Sequence, residues 1–174
     1  MTMPEPLPSH FDSNRKMQHM LRKLIFTVTI LCTSTPVTAA DIVETITEAG
    51  TFNTLLLAAT NAALMDTLNS EGPWTLFAPT DDAFAQMPRD ELRDLLNPAN
   101  TDRLGEIVRN HIIAGEITSR DILGKRLEAV TVDGGTLLID ATRNAMIEDA
   151  RIVKADVIAD NGFIHVIDAV MLPD

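Results

Sequence analysis

The apolar positions of this chain change period near residue 129. Before that point they recur at helical spacing. Phe52, Leu55, Leu56, Ala59 and Ala63 fall on one face, and Leu64 and Leu68 continue beyond a break near Asn61. "EGPW" (Glu71 to Trp74) reads as a turn, "TLFA" (Thr75 to Ala78) as a short buried strand, and Pro79 stops it. Helical spacing returns in "RDELRDLL" (Arg89 to Leu96), which Asn97 and Pro98 end. It returns again in a helix from near Thr101 whose stripe is Leu104, Ile107, Val108, His111 and Ile112. "TSRD" (Thr118 to Asp121) predicts a capping box with Asp121 reaching back to the cap, and Gly124 closes that short helix.

From Ala129 the apolar runs are strand-like. Two of them flank Asp133 and Gly134, a hairpin signal. Ala145 to Ile147, Arg151 to Ala159 and Phe163 to Leu172 follow, the last after the turn Asp160 to Gly162. Helices first and strands after, sharing one core, predict an α+β fold with helices packed on a mainly antiparallel sheet system.

Within this pattern "TLFAPTDDAF" (Thr75 to Phe84) raises a chemical question, because adjacent aspartates sit between apolar anchors. Thr80 is a good N-cap, and Asp81 and Asp82 fall in the first turn, where free N–H groups and the helix dipole favour carboxylates. Neighbours at i and i+1 diverge on a helix, so the pair does not converge on one substrate atom. Their predicted role is to start a helix.

The first forty residues differ from the rest. Arg15, Lys16, Arg22 and Lys23 precede the apolar "LIFTVTILC" (Leu24 to Cys32), and small residues follow in "PVTAAD". The apolar run is too short to span a bilayer and fits a secretory signal peptide over residues 1–40, with either an extended leader or one of usual length that starts at Met17 or Met20. The sole cysteine, Cys32, lies inside it, and the bulky Leu31 before it argues against lipidation. The chain carries a net charge of −11; cleavage after Ala40 leaves 10 basic and 23 acidic residues, a net charge of −13. Such a surface repels nucleic acid and anionic membrane alike.

Residues 41–174 contain two histidines, His111 and His165, and two serines, Ser70 and Ser119. No nucleophile elbow, phosphate-binding glycine loop or calcium loop occurs, and the histidine spacing carries no metal motif. His165 and Asp168 stand an odd number of residues apart, which on a strand sends them to opposite faces. His165 also lies in a nearly continuous apolar run, and His111 on a buried stripe. Both read as hydrogen-bonded core histidines. No enzyme activity, cofactor or metal is expected.

Two stretches resemble the signatures of the fasciclin-like domain family: "TLFAPTDDAFAQMP" (Thr75 to Pro88) and "NGFIHVIDAVMLP" (Asn161 to Pro173). Ala49 to Ala59, Asn110 to Ile122 and Val130 to Ile139 are similar to the corresponding family segments, so the likeness covers Asp41 to Asp174. It implies a β-sandwich-like wedge with helices along it, and a secreted or surface adhesion module, here a single-domain bacterial one. The motif positions it marks as structural are Phe77, Pro79, Thr80, Asp81, Phe84, His111, Gly162, His165 and Asp168. Family members commonly carry a Tyr-His pair implicated in cell attachment. Here it reads Asn110-His111, in a chain with no tyrosine and no Arg-Gly-Asp. Asn110, His111, Asp121 and Ile122 are the candidate interaction residues. The expected function is contact, as a monomer, with a surface protein or polysaccharide; the alternative is a periplasmic domain that binds a small ligand.

Overall fold

The computed structural model describes residues 40–173. All of the predicted signal peptide but Ala40 lies outside them. Helix α1 (Ile42–Ala49) starts where the Asp41 carboxylate accepts the Glu44 N–H at 2.8 Å and stops at Gly50, whose φ of 67° suits glycine. Helices α2 (Asn53–Asn61) and α3 (Met65–Leu68) lead to strand β1 (Trp74–Pro79). Then come α4 (Asp81–Ala85), α5 (Arg89–Leu95), a 3-10 turn (Pro98–Asn100) and α6 (Thr101–Asn110). Strand β2 (Ile112–Ala114) and helix α7 (Ser119–Ile122) precede the strand-rich part. That part consists of β3 (Arg126–Val130), β4 (Thr136–Asp140), β5 (Met146–Ile147), β6 (Ala150–Ala159) and β7 (Gly162–Ile167).

The strands form one mixed sheet in the order β2-β1-β7-β6-β5-β4-β3. Every pairing is antiparallel except β1 with β7, which runs from Trp74↔Gly162 to Pro79↔Ile167. This is the expected α+β arrangement. The sheet curls until its two ends meet: Ile113 bridges to Thr131, and the Val132 N–H donates to the Ile112 carbonyl at 2.9 Å. Register breaks between Ile152 and Val157 let β6 bend where the sheet turns.

Curling divides the interior in two. Alternate residues of β1 and β7 point to opposite faces. Leu76, Ala78, Ile164 and Val166 pack under the helices with Ile42, Leu55, Phe84 and Leu104. Phe77 and Ile167 face the inside of the curl with Ile113, Leu137, Ile139 and Ile147. At an apolar burial gain of about 25 cal/mol per Å2 these two layers are the main stabilising term.

Two elements depart from the apolar pattern. Ile112 leaves the helix that its spacing continues and opens β2, because pairing with Leu76 buries it completely. The run from Phe163 to Leu172 is a strand only to Ile167. There the Asp168 carboxylate takes the Arg151 N–H at 2.8 Å, the chain turns, and Met171 packs into the inner core. At the other end of the central pair the backbones nearly touch: a Cβ on Gly162 would lie 1.9 Å from the Trp74 carbonyl oxygen.

Candidate functional site

Thr80 caps α4 as its sequence predicts, its hydroxyl accepting the Ala83 N–H at 3.2 Å. Asp81 does more than occupy the first turn. Its carboxylate crosses to the start of α2 and accepts the Thr54 N–H at 2.8 Å, the Asn53 N–H at 3.3 Å and the Asn53 amide at 2.9 Å. Helix α2 has no side-chain cap of its own at Phe52, so Asp81 supplies one from a distance. Partial burial pushes the Asp81 carboxyl up, but the bonds from Thr54 and Asn53 outweigh it and hold the group below the usual carboxylate range. Asp82 is exposed. Pro79, buried, closes β1, while Phe77 and Phe84 anchor the two different cores.

His111 ends α6 and is 1% exposed. Its Nδ1–H donates to the Ile107 carbonyl at 2.7 Å and its Nε2 accepts the Met171 N–H at 3.1 Å. The imidazole thus ties α6 to the C-terminal segment in its neutral form. Burial pushes its pKa down to about 4, against a smaller upward pull from the Ile107 bond.

His165 stacks on Phe77 with ring centroids 5.3 Å apart inside the curl. Three residue types of a hydrolase meet around it. The Ser119 hydroxyl donates a short bond to Asp156, whose other carboxylate oxygen takes the Ser119 N–H at 2.8 Å. The Asp156 N–H donates to His165 Nδ1 at 3.3 Å, and His165 Nε2–H donates to the Ile117 carbonyl at 2.7 Å. The connectivity is wrong for acyl transfer: no imidazole lone pair faces Ser119, so nothing withdraws its proton. The cluster fastens α7 to the bend in β6. The Ser119 hydroxyl bond holds the Asp156 carboxyl below the usual range despite some burial, with the Ser119 N–H and the nearby Arg120 charge adding to the effect.

Asp156 was not legible as part of this cluster. Its only trace is the interrupted alternation of "VKADV" (Val153 to Val157), where the backbone reaches a φ of 55° at Asp156. His165 and Asp168 do not meet, since Asp168 is bonded to Arg151 beyond the strand end. Among the described residues no group of three His, Cys, Asp or Glu stands where it could hold a metal ion.

The four candidate interaction residues divide by exposure. Asn110, His111 and Ile122 are buried, while Asp121 is exposed and completes the capping box by accepting the Thr118 N–H at 2.9 Å and hydroxyl at 2.6 Å. Those two bonds hold its carboxyl below the usual range. Two clefts of about 570 Å3 open on the surface. One lies beside Asp41, Glu71, Glu116 and Asp160. The other runs along the C-terminal segment and includes Asn110.

Residues 50–173 match the family model of the Fasciclin domain. The chain belongs to the Fasciclin domain family. Two proteins of Synechocystis sp. are similar to it. One, sll1483, is 38% identical over 135 residues, 78% of this chain and 74% of that protein. The other, sll1735, is 41% identical over 133 residues, 76% of this chain and 97% of that protein. The transforming growth factor-beta-induced protein ig-h3 of Sus scrofa is 31% identical over 159 residues, 90% of this chain but 21% of that protein. Among solved structures, a FAS1 domain pair from the insect cell adhesion molecule Fasciclin I shares the fold. The TM-score is 0.61 at 17% identity, covering 77% of this chain and 51% of that one. In this Fasciclin domain the two signature stretches are the segments that β1 and β7 bring side by side at the centre of the sheet.

Proposed function

We propose that this Fasciclin domain is an exported, non-enzymatic interaction module that contacts a protein or polysaccharide of a cell surface. The observation that carries the reading is how the interior uses its reactive groups. Both histidines spend both ring nitrogens on the fold, and Ser119 is bonded to a carboxylate rather than to a base. What is left for function is the outer surface, strongly acidic and unsuited to nucleic acid or anionic membrane. The fold it shares with part of an insect cell adhesion molecule supports contact as the purpose of that surface.

Beads coated with the exported protein should adhere to cells of the producing organism more than beads coated with an unrelated acidic protein. Protease treatment of the cells should abolish adhesion if the partner is a protein, and periodate treatment if it is a polysaccharide. Equal adhesion of both kinds of bead would end the proposal.

A further inference from the structure

The turn between β6 and β7 carries the chain's only Asn-Gly pair, Asn161-Gly162. The Asn161 side chain joins parts of the fold that are far apart in sequence. Its Nδ2 donates to the Leu68 carbonyl at 2.7 Å and to the Ser70 carbonyl at 3.1 Å, and its Oδ1 accepts the Ile42 N–H at 3.0 Å. The Asn161 carbonyl takes the Trp74 N–H at 3.0 Å. One residue of the hairpin thus holds the start of α1, the end of α3 and the entry to β1. Trp74, the sole tryptophan, reports on this junction, because its indole N–H donates to the same Ser70 carbonyl at 3.3 Å.

The pair is also reactive. Glycine has no Cβ to shield its nitrogen, so an asparagine amide before it lies open to attack by the backbone. The Gly162 nitrogen attacks Asn161 Cγ, the bond from Cγ to Nδ2 breaks, and ammonia leaves a succinimide. Water opens that ring at either carbonyl to give aspartate or isoaspartate, with nothing oxidised or reduced. In the fold the three side-chain bonds hold the amide toward residues 42, 68 and 70, and Gly162 is buried against the Trp74 backbone. The product fits poorly. A carboxylate has no hydrogen to give the Leu68 and Ser70 carbonyls. Asp41, Glu71, Glu116 and Asp160 line the same cleft, with no Lys, Arg or His among the lining residues, so a further negative charge there is repelled.

We propose that Asn161 is a deamidation site that folding closes. A chain that stays unfolded converts Asn161 to aspartate or isoaspartate and can no longer fasten the β6–β7 hairpin to α1, α3 and β1. The pair sets a time limit on folding, whatever the finished domain contacts.

The test incubates the purified exported protein at mildly alkaline pH, one sample native and one in guanidinium chloride, and follows conversion by peptide mass mapping. Asn161 should convert in the denatured sample and at least about tenfold more slowly in the native one, the protection that one hydrogen bond or more provides. After removal of denaturant and separation by ion exchange, the unconverted fraction should regain native Trp74 emission and the converted fraction should not. Asn161→Asp reproduces the product and should melt below the parent at neutral pH. The gap should narrow as acid protonates the new carboxyl and restores a donor. Asn161→Leu, with no charge to neutralise, should show no narrowing, and Asn144→Asp, in an exposed turn, should melt like the parent. Equal conversion in both samples, conversion confined to other asparagines, native Trp74 emission from the converted fraction, or an Asn161→Asp gap that does not narrow would each overturn the proposal. The incubation stands even if Asn161→Asp fails to fold.

Discussion

Single side chains here differ sharply in what they hold. Phe77 is fully buried between Ile113, Ile167 and the His165 ring, so Phe77→Ala should cost about 3 to 5 kcal/mol as a cavity-forming change. Asp81→Ala removes the remote cap of α2 and should cost about 0.5 to 2 kcal/mol, toward the lower end because the group is partly exposed. Asp82→Ala, next to it and exposed, should cost less than either. Denaturant midpoints for the three variants order them, and an Asp82 effect matching that of Asp81 would contradict the cross-helix cap. His111 gives a pH signature. Its folded pKa of about 4 lies below the ordinary 6.5, so the unfolded chain binds the extra proton between those values. Stability from this group is complete above about pH 6.5. It falls by up to about 3 kcal/mol as the pH drops through the window to about 4, at 1.36 kcal/mol per pH unit. His111→Gln should flatten that part of the stability curve, measured by urea unfolding at successive pH values. Asp81, Asp121, Asp140 and Asp156 are all held below the usual carboxylate range, so their losses come at lower pH and do not mimic it.

Elements rest on a few cross-links that are not local in sequence. Helix α7 is only four residues long, too short to persist alone, and its first N–H and hydroxyl both go to Asp156 on β6. Asp156→Ala should therefore expose the amides of Ser119 to Ile122 to hydrogen exchange much sooner than those of β1, while the overall melting temperature falls only modestly. Uniform loss of protection would show that α7 does not open by itself. The helices from Asp41 to Asn110, the Thr118–Asp121 capping box and the hairpin at Asp133–Gly134 were legible because each is set by residues within a few positions of one another. Strand β2 was not, since three residues carry no period and Ile112 continues the stripe of α6. The Asp81 cap on α2 and the bond from Ser119 to Asp156 span 27 and 37 residues, and nothing in a linear pattern pairs those positions.

At the scale of the molecule, charge and topology govern behaviour. Reversing Asp90, fully exposed and paired at 3.7 Å only with the exposed Arg93, should leave the melting curve unchanged and alter the salt dependence of adhesion. Asp94 is a poorer choice for that experiment, because it fixes Asn100 at 2.9 Å at the start of α6. The parallel pairing of β1 with β7 has a consequence in time as well as in space. Residues 74–79 take their partner from residues 162–167, so the centre of the sheet stays open until nearly the whole chain is available. Loops of that length close slowly compared with helices and hairpins. A chain that finishes folding only when its last strand arrives remains threadable while it is being made, as the export proposed above would require. Ending the chain at Ala159 should accordingly leave a soluble but uncooperative polypeptide, with no sharp thermal transition by circular dichroism.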